Sequence, residues 1–487
     1  MIQDPPHRFS CGGIDALVDG RQLRYSGFLM ARLRRQRVCP DDRDARAMGA
    51  TADALDGFRL SPHGCQWLLG KSSVAEVEAF ERPLAEALRP GFCRRLRLDL
   101  RHLDGVGLQS ALDRVRAVEW VEDAYAEIAV AEPRVAASSR EGSAGQGYLD
   151  VAPAGVGARS LWDRRVNGKG IRLVDVEMGW VEDHEDIDNR KLHRICNDIN
   201  SLGVNHGTGV LGILMAKRNR MGGTGVAYGV EWVGLASHYR EDTHDCGYVA
   251  EAIHAAQHYL RRGDVLLLEV QRDPGSKYLP TEIDPCDQAA IQCATAHGIT
   301  VVEAAGDGGQ DLAVWKDAMG RHTLDRGSRD FVDSGAVMVG AALCSRSSYL
   351  DQAGRVDRSQ CSGTSDPKPY YFALPNGNYG SRVDCFSWGE CILTTGKADP
   401  GNQPPKDPDT PLRESYRCDF GATSGAAAII AGAAVLVQQA HTELRGGPLD
   451  PCKVRQLFST IGSCQSPQEK HTPIGRMPDL EAILRLL

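Results

Sequence analysis

The stretch Phe420 to Gln438 reads FGATSGAAAIIAGAAVLVQ, and almost every residue in it is small or aliphatic. A Gly-Ala pair followed by a long run of Ala, Ile, Val and Leu predicts a turn that leads into a helix with apolar residues on all sides, which belongs in a core. Its only hydroxyls, Thr423 and Ser424, lie near the predicted start of the helix. Backbone N–H groups at a helix start stabilise negative charge. Ser424 is therefore either a nucleophile or a helix N-cap, which is the commoner use of serine at such a position.

The composition is that of an ordinary soluble globular protein, with 487 residues, 42% hydrophobic and 25% charged. Such a length predicts two or three domains. The net charge of -8 gives no reason to expect nucleic acid as a partner. No uninterrupted apolar window is long enough to predict a membrane span, and the N-terminus lacks the apolar region of a secretory signal.

The chain has fifteen cysteines, an odd number, without a CxxC pair or the Cys/His spacing of a zinc site. This pattern favours reduced, structural thiols and a cytoplasmic protein over a disulfide framework, and it predicts no metal or cofactor. A local loop closed by Cys385 and Cys391 stays open as an alternative.

The chain divides into four segments that differ in composition and hydrophobic pattern. Residues 1–84 have weak hydrophobic periodicity and no assigned role. Residues 85–133 contain a strand, an amphipathic helix and a second strand, and predict a small α+β unit. Residues 134–147 form a polar, small-residue linker. In residues 148–487 continuous apolar strands alternate with helices, which predicts an α/β domain with a mainly parallel sheet and helices on both faces.

Three polar residues stand at the ends of predicted elements in the order acid, histidine, serine. Glu177 ends the strand in GIRLVDVEMG, His206 opens the helix in HGTGVLGILMAK, and Ser424 lies at the start of the apolar helix. A serine nucleophile needs a base to take its proton, and the base needs an acid to fix its tautomer and offset its charge. Taken singly, Glu177 could be a solvated residue at a strand end, His206 a histidine at a helix start or in the core, and Ser424 a helix cap. Their joint order favours catalysis.

The same order occurs in subtilisin, and the motifs resemble those of the subtilisin-like serine peptidases, the subtilases. VEMGWVEDHEDI is similar to the family's acid motif, HGTGVLG to its histidine motif, and ATSGAAA with the following Ala-Gly to its serine motif. The resemblance extends over residues 148–487. It implies a serine endopeptidase that acts on protein or peptide substrates, with Ser424 as nucleophile, His206 as general acid/base and Glu177 as the orienting acid.

Two departures from the family pattern affect the chemistry. The acid is Glu177 rather than Asp, and Asp175, on the same side of the strand, is a rival partner for His206. Asp307 replaces the asparagine that donates to the oxyanion in subtilisins, and a carboxyl group can donate only when it is protonated. Sedolisins, a branch of the same clan, resemble this chain in having Glu in the triad and Asp at the oxyanion position, but they lack the histidine motif.

The resemblance also implies a substrate cleft. Glu269, Val270 and Gln271 fill the family's substrate-binding strand, and Glu269 would either select basic side chains or lie on the rim. Ala304, Ala305 and Gly306 precede Asp307 and line the other side.

Two further functions and one contact between segments stay open at this point. The chain could be a catalytically silent subtilase that binds an extended peptide, or a sedolisin-like acid peptidase that does not need His206. Residues 85–133 resemble a subtilase propeptide, so contact of this unit with the cleft is expected, and the linker would be the natural cleavage region.

Overall fold

The computed structural model describes residues 13–33, 65–67 (backbone only), 95–119, 121–131, 145–275, 277–343, 371–398, 410–466 and 471–487. The predicted linker, residues 134–147, lies almost wholly outside them. So do most of residues 34–94.

The N-terminal unit is a five-stranded sheet with one helix against it. All its strand pairs are antiparallel. The strands are β1 (Ile14–Val18), β2 (Arg21–Leu33), β3 (Cys65–Trp67), β4 (Arg95–Asp99) and β5 (Val121–Ile128), and the helix is α1 (Gly105–Arg116). The long β2 pairs with β1 over its first half, and with β4 and β5 on its two edges over its second half. Asp104 caps α1 by accepting from the Gly107 N–H at 2.8 Å.

The predicted boundary at residue 84 cuts through this sheet and is corrected here. Three of its five strands, β1, β2 and β3, come from residues that were assigned to a separate region. The strand, helix and strand predicted within residues 85–133 are present as β4, α1 and β5. They do not pair with each other, because β2 lies between β4 and β5. The unit therefore includes the residues from Ile14 onward that form β1, β2 and β3.

The larger unit is built on a nine-stranded sheet. Its strands in chain order are β6 (Arg172–Glu177), β7 (Leu192–Cys196), β8 (Trp232–Ser237), β9 (Val265–Leu268), β12 (Thr300–Ala304), β13 (Val337–Ala342), β14 (Cys385–Trp388), β17 (Gly462–Cys464) and β18 (Arg476–Pro478). The spatial order is β17-β18-β14-β13-β12-β9-β6-β8-β7. Every neighbouring pair is parallel except β17 with β18. The prediction of an α/β fold with a mainly parallel sheet is confirmed.

Two pairs of short strands and seven helices complete this unit within the described residues. The strands are β10 (Gln271–Arg272) with β11 (Leu279–Pro280), and β15 (Ile392–Thr395) with β16 (Tyr416–Phe420). The helices are α2 (Ala158–Asp163), α3 (Val204–Met215), α4 (Val249–Gln257), α5 (Pro285–Ala296), α6 (Ala422–Arg445), α7 (Pro451–Thr460) and α8 (Leu480–Leu484).

Alternate residues of the central strands face two separate hydrophobic cores. In β6, Leu173 packs into the core that contains α6, and Val174 packs into the core that contains α4 and α5. In β9, Leu267 and Leu268 divide in the same way. Side chains alternate between the two faces of a strand, so polar residues that continue this alternation at the strand ends are directed to a predictable face.

Helix α6 is the predicted apolar helix, and it runs for 24 residues. Every residue from Ala422 to Ala440 is buried, and the helix ends at Gly446, which adopts the left-handed conformation at φ 77°. Its length and hydropathy would suffice to cross a membrane, but that apolar window is wholly buried inside this protein. Packing against β9, β12, β13, β14 and α3 accounts for its composition.

The cysteines differ in one respect from the expectation of reduced thiols. Cys246 is disulfide-bonded. Cys385 and Cys391 are both buried free thiols, so the local loop considered from the sequence is not closed.

Buried charges join the N-terminal unit to the larger one. Arg97 on β4 contacts Glu127 on β5 at 2.6 Å and Asp245 of the larger unit at 2.7 Å. The side chains of Arg97 and Glu127 are 2% and 4% exposed. Nearby, Arg272 donates to the Ile128 carbonyl at 2.8 Å. Because these charges are removed from water, each depends on its partner.

Replacing Arg97 with Met is expected to lower the free energy of unfolding by about 3–5 kcal/mol, because Glu127 and Asp245 would lose their cation. Denaturant unfolding measures the loss. Arg190→Met is the matched control, since the Arg190 side chain is 84% exposed and its pairing with Asp188 is screened by water, so little or no loss of stability is expected. Equal, small losses in both variants would show that the buried contact does not hold the two units together.

Candidate active site

Glu177 and His206 meet at the carboxyl end of the sheet. Glu177 is the last residue of β6, and its Oε1 contacts His206 Nδ1. Its other oxygen accepts from the Met178 N–H at 3.1 Å. His206 lies in the first turn of α3 and is 4% exposed, and Glu177 is fully buried. The contact directs Nδ1 to the carboxylate and leaves Nε2 as the nitrogen that can exchange a proton.

Asp175, the rival acid, has a different partner. Its Oδ2 accepts from the Trp180 indole N–H at 2.8 Å. Burial, and then the charge of Glu177, hold the pKa of Asp175 well above its usual range, which favours the neutral acid. Of the two candidates for orienting the histidine, the structure therefore brings only Glu177 to His206.

The glycine that follows His206 allows α3 to approach the end of β6. A Cβ on Gly207 would lie 2.3 Å from the Gly179 carbonyl oxygen and 2.8 Å from the Trp180 ring. Neither could be displaced without moving the strand end that carries Glu177. The His-Gly pair is thus explained by close packing between the two elements that carry the acid and the histidine.

Ser424 is the third residue of α6 and is 7% exposed. The first four N–H groups of a helix lack intrahelical partners. Three of these four are occupied, since Ala422 donates to Gly389, Gly425 to Gly421, and Thr423 to the Asp307 carboxylate. Only the Ser424 N–H has no acceptor among the described residues. A backbone donor is thus available beside the hydroxyl.

Asp307 is bound at the start of the same helix. Its Oδ1 accepts from the Thr423 N–H at 3.0 Å and from the Thr423 hydroxyl at 2.8 Å. The N–H of Asp307 donates to the Gln271 side chain at 3.0 Å. Because Oδ1 accepts both of these bonds, a proton on the Asp307 carboxyl group would be carried by Oδ2.

The segment before Asp307 is held by a buried asparagine that the sequence did not single out. Asn378 donates to the carbonyls of Ala305 at 2.7 Å and Tyr278 at 2.8 Å, and the Gly306 carbonyl accepts from its N–H at 2.9 Å. Gly306 has φ 88°. Both amide hydrogens of the Asn378 side chain are used in this way, so this asparagine is not a substitute for the missing oxyanion donor.

Glu269 was predicted either to select basic side chains or to lie on the rim of the cleft. It follows β9 and is 5% exposed in this structure. Side chains along β9 alternate between the two faces of the sheet, and this places Glu269 on the face that packs against α6. There its carboxyl group interacts with the Ser424 hydroxyl. Burial raises the pKa of Glu269 well above its usual range, the charges of Glu177 and Asp175 add to this, and Ser424 opposes it.

The strand that follows Glu269 is already paired with the N-terminal unit. Val130 forms an antiparallel bridge with Arg272. The Ala131 N–H donates to the Gln271 carbonyl at 2.9 Å, and the Asp273 N–H donates to the Ala129 carbonyl at 2.7 Å. The segment after β5 therefore adds a strand to the edge where the sequence placed substrate. Val270 and Gln271 are themselves buried, at 2% and 7% exposed.

Sequence reasoning found the acid, the histidine, the serine and Asp307, but missed the residues that hold them. Thr423 was noted only as a hydroxyl, although it anchors Asp307. Asn378 lies in a loop-rich insertion without periodicity, so nothing in its neighbourhood indicated a buried role. Within the described residues no group of three or more His, Cys, Asp or Glu side chains could hold a metal ion.

Comparison with known proteins places this site in a family. A scan of family models matches residues 178–461 to the subtilase family. The matched range contains His206, Asp307 and Ser424, and begins one residue after Glu177. A search of the curated proteins found no match.

Solved structures of the same fold are similar at low identity. Fervidolysin from Fervidobacterium pennivorans, a keratinolytic enzyme related to subtilisin, has a TM-score of 0.56 at 14% identity; the match covers 98% of this chain and 63% of that one. This chain thus spans less than two thirds of the fervidolysin chain. A cold-adapted subtilisin-like serine proteinase matches over 64% of this chain and 90% of its own, at 18% identity and a TM-score of 0.42. The prenylagaramide maturation protease PagA matches over 68% and 98%, at 16% identity and a TM-score of 0.45.

The family match extends over more than half of the chain. The acid lies at the carboxyl edge of the parallel sheet, and the histidine and the serine lie at the starts of α3 and α6. The motif resemblance is thus confirmed at the level of the family. The chain belongs to the subtilase family of serine peptidases.

Proposed function

We propose that this chain is a serine endopeptidase in which Ser424 is the nucleophile, His206 the general acid/base and Glu177 the orienting acid. The observation that carries the proposal is the contact between Glu177 Oε1 and His206 Nδ1. It fixes the imidazole with Nε2 available, and it places a carboxylate where the positive charge of the imidazolium would develop.

The proposed reaction begins when Nε2 of His206 takes the Ser424 proton and Oγ bonds to the scissile carbonyl carbon. The imidazolium then gives the proton to the leaving amine as the C–N bond breaks. Water repeats the sequence to release the acyl group. Glu177 offsets the positive charge that develops on the histidine.

The oxyanion would be held by two donors. One is the Ser424 N–H, which has no acceptor among the described residues. The other is Asp307, which can donate only as a neutral acid from Oδ2. An ionised Asp307 would repel the oxyanion, so activity that uses this donor is present at low pH and is lost as the carboxyl group ionises.

Endopeptidase action is supported by the backbone pairing along the strand around Gln271. Backbone pairing is how an extended peptide is bound at a sheet edge. Ala129, Val130 and Ala131 make such pairs here. The N-terminal unit therefore lies where a substrate strand would pair, as expected of an inhibitory propeptide-like unit.

Incubation of the purified full chain is expected to split it between residues 134 and 147, because that polar segment directly follows the residues paired with the cleft. Intact-mass analysis over time would give two fragments for the wild-type chain and one unchanged chain for Ser424→Ala. Cleavage of both proteins at the same rate would mean that Ser424 is not responsible.

A peptide-binding function without catalysis is the second candidate. It is favoured by the two hydrogen bonds that Asp307 Oδ1 accepts from Thr423, because they stabilise the ionised carboxylate that cannot donate. In this alternative the sheet edge would hold an extended segment and the serine would stay unreacted. Asp307→Asn separates the two candidates.

A further inference from the structure

Glu269 is a buried carboxyl group that the proposed reaction does not use. Within the part of the chain that the structure describes, neither of its two side-chain oxygens is hydrogen-bonded, although the residue is only 5% exposed. A buried polar group without partners costs free energy, so its retention calls for an explanation.

The groups around Glu269 come from three parts of the active site. Asp175 and Glu177 on β6, Asp307 after β12 and Ser424 on α6 all act on its carboxyl group. Helix α3 brings His206 to Glu177. Three of these neighbours are carboxyl groups, and Ser424 is the neighbour whose hydrogen bonding favours the ionised form.

The proposed reaction requires the Ser424 hydroxyl to donate to His206 Nε2, which has no hydrogen-bond partner among the described residues. The Glu269 carboxyl group is a competing acceptor, because its interaction with Ser424 favours the ionised carboxylate. A hydroxyl has one proton to donate, so a bond to Glu269 is a bond withheld from the histidine.

We propose that Glu269 is a positioning residue: its ionised form holds the Ser424 hydroxyl away from His206, and its protonated form releases it. The inference rests on the proposed function, since it concerns the activation of Ser424. A neutral carboxyl group is the weaker acceptor, so protonation shifts the hydroxyl to Nε2.

The direction of the pH effect follows from the burial of Glu269. Because burial and the charges of Glu177 and Asp175 raise the pKa of Glu269, the group keeps its proton beyond the range of an exposed glutamate. Activity is then present below the raised pKa and falls as pH rises through it. The ionised carboxylate also opposes the negative charge that forms on the substrate.

The test is the rate at which a fluorophosphonate probe labels Ser424 in the full chain, measured from acidic to alkaline pH. Glu269→Gln and Glu269→Ser both remove the charge, so either variant that folds is sufficient. Because Asp307 is unchanged in all three proteins, its ionisation slows each of them alike; each Glu269 variant is expected to lose less of its labelling rate than the wild type as pH rises, with a difference of about tenfold or more at alkaline pH, the size expected when one competing charge is removed.

Glu303→Gln is the matched control. Glu303 is also a buried carboxyl group with a raised pKa, but it lies on the opposite face of the sheet, where it accepts from the Glu282 N–H at 2.9 Å. Its profile is expected to follow that of the wild type.

Each remaining outcome overturns the inference in a distinct way. Coinciding profiles for the wild type and both Glu269 variants would overturn it while leaving the proposed function intact. Loss of labelling at every pH in a folded Glu269 variant would show that Glu269 is itself the base. No labelling of any protein at any pH would overturn the proposed function as well.

Discussion

Replacing Glu177 with Gln is expected to lower kcat/KM by about 10³–10⁴, because an amide cannot fix the reactive tautomer of His206 or offset its positive charge. Glu177 Oε1 contacts His206 Nδ1, and both residues are buried, so water cannot take over this function. The assay is hydrolysis of an unstructured protein substrate, with the fold checked by thermal unfolding.

Asp175→Asn is the matched control for this substitution. Asp175 lies two residues earlier on the same strand and is equally buried, but its carboxyl group accepts from Trp180 instead of the histidine. Because an amide can still accept that bond, the expected loss is below about tenfold, the effect of one neutral hydrogen bond. If Asp175→Asn were the more damaging change, the acid would have been assigned to the wrong residue.

Replacing Asp307 with Asn is expected to raise kcat at neutral pH by about 10²–10³, the contribution of one oxyanion donor. Oδ1 of the amide can still accept from Thr423, and its NH₂ group supplies the donor that an ionised carboxylate lacks. The gain should shrink toward acidic pH, where protonated Asp307 already donates. The measurement is kcat against pH for both proteins on one substrate.

The Asp307 result also separates the two candidate functions. A chain that is inactive with either residue would favour the peptide-binding function over the peptidase. A fall in kcat at all pH values would indicate that Asp307 has a role that depends on its charge, such as holding the start of α6 through Thr423.

The apolar strands and the helix from Ala422 could be predicted because their composition follows directly from burial on both faces of the sheet. The ends of these elements could also be predicted from the sequence. The strand β6 ends at Glu177, and the helices α3 and α6 begin two residues before His206 and Ser424, respectively. Alternation along β9 directs Glu269 toward α6, whereas the sequence analysis left open whether it selects basic side chains or lies on the rim of the cleft.

The remaining features depend on contacts between distant segments. The N-terminal sheet was missed because β2 pairs with strands about seventy to one hundred residues later, and isolated β1 and β2 show only weak periodicity. Asn378 acts through hydrogen bonds to loop backbone, and Thr423 through two hydrogen bonds to Asp307. Such bonds leave no periodic pattern in a sequence.

The most direct test of the central claim is whether Ser424 is chemically activated. The full chain would be treated with a fluorophosphonate probe at mildly acidic to neutral pH, and the modified residue located by peptide mapping, with Ser424→Ala and Glu177→Gln alongside. We predict one adduct, on Ser424, that is absent in Ser424→Ala and forms far more slowly in Glu177→Gln. No adduct on Ser424 anywhere in that pH range, in a folded protein, would contradict the assignment of this chain as an active serine peptidase.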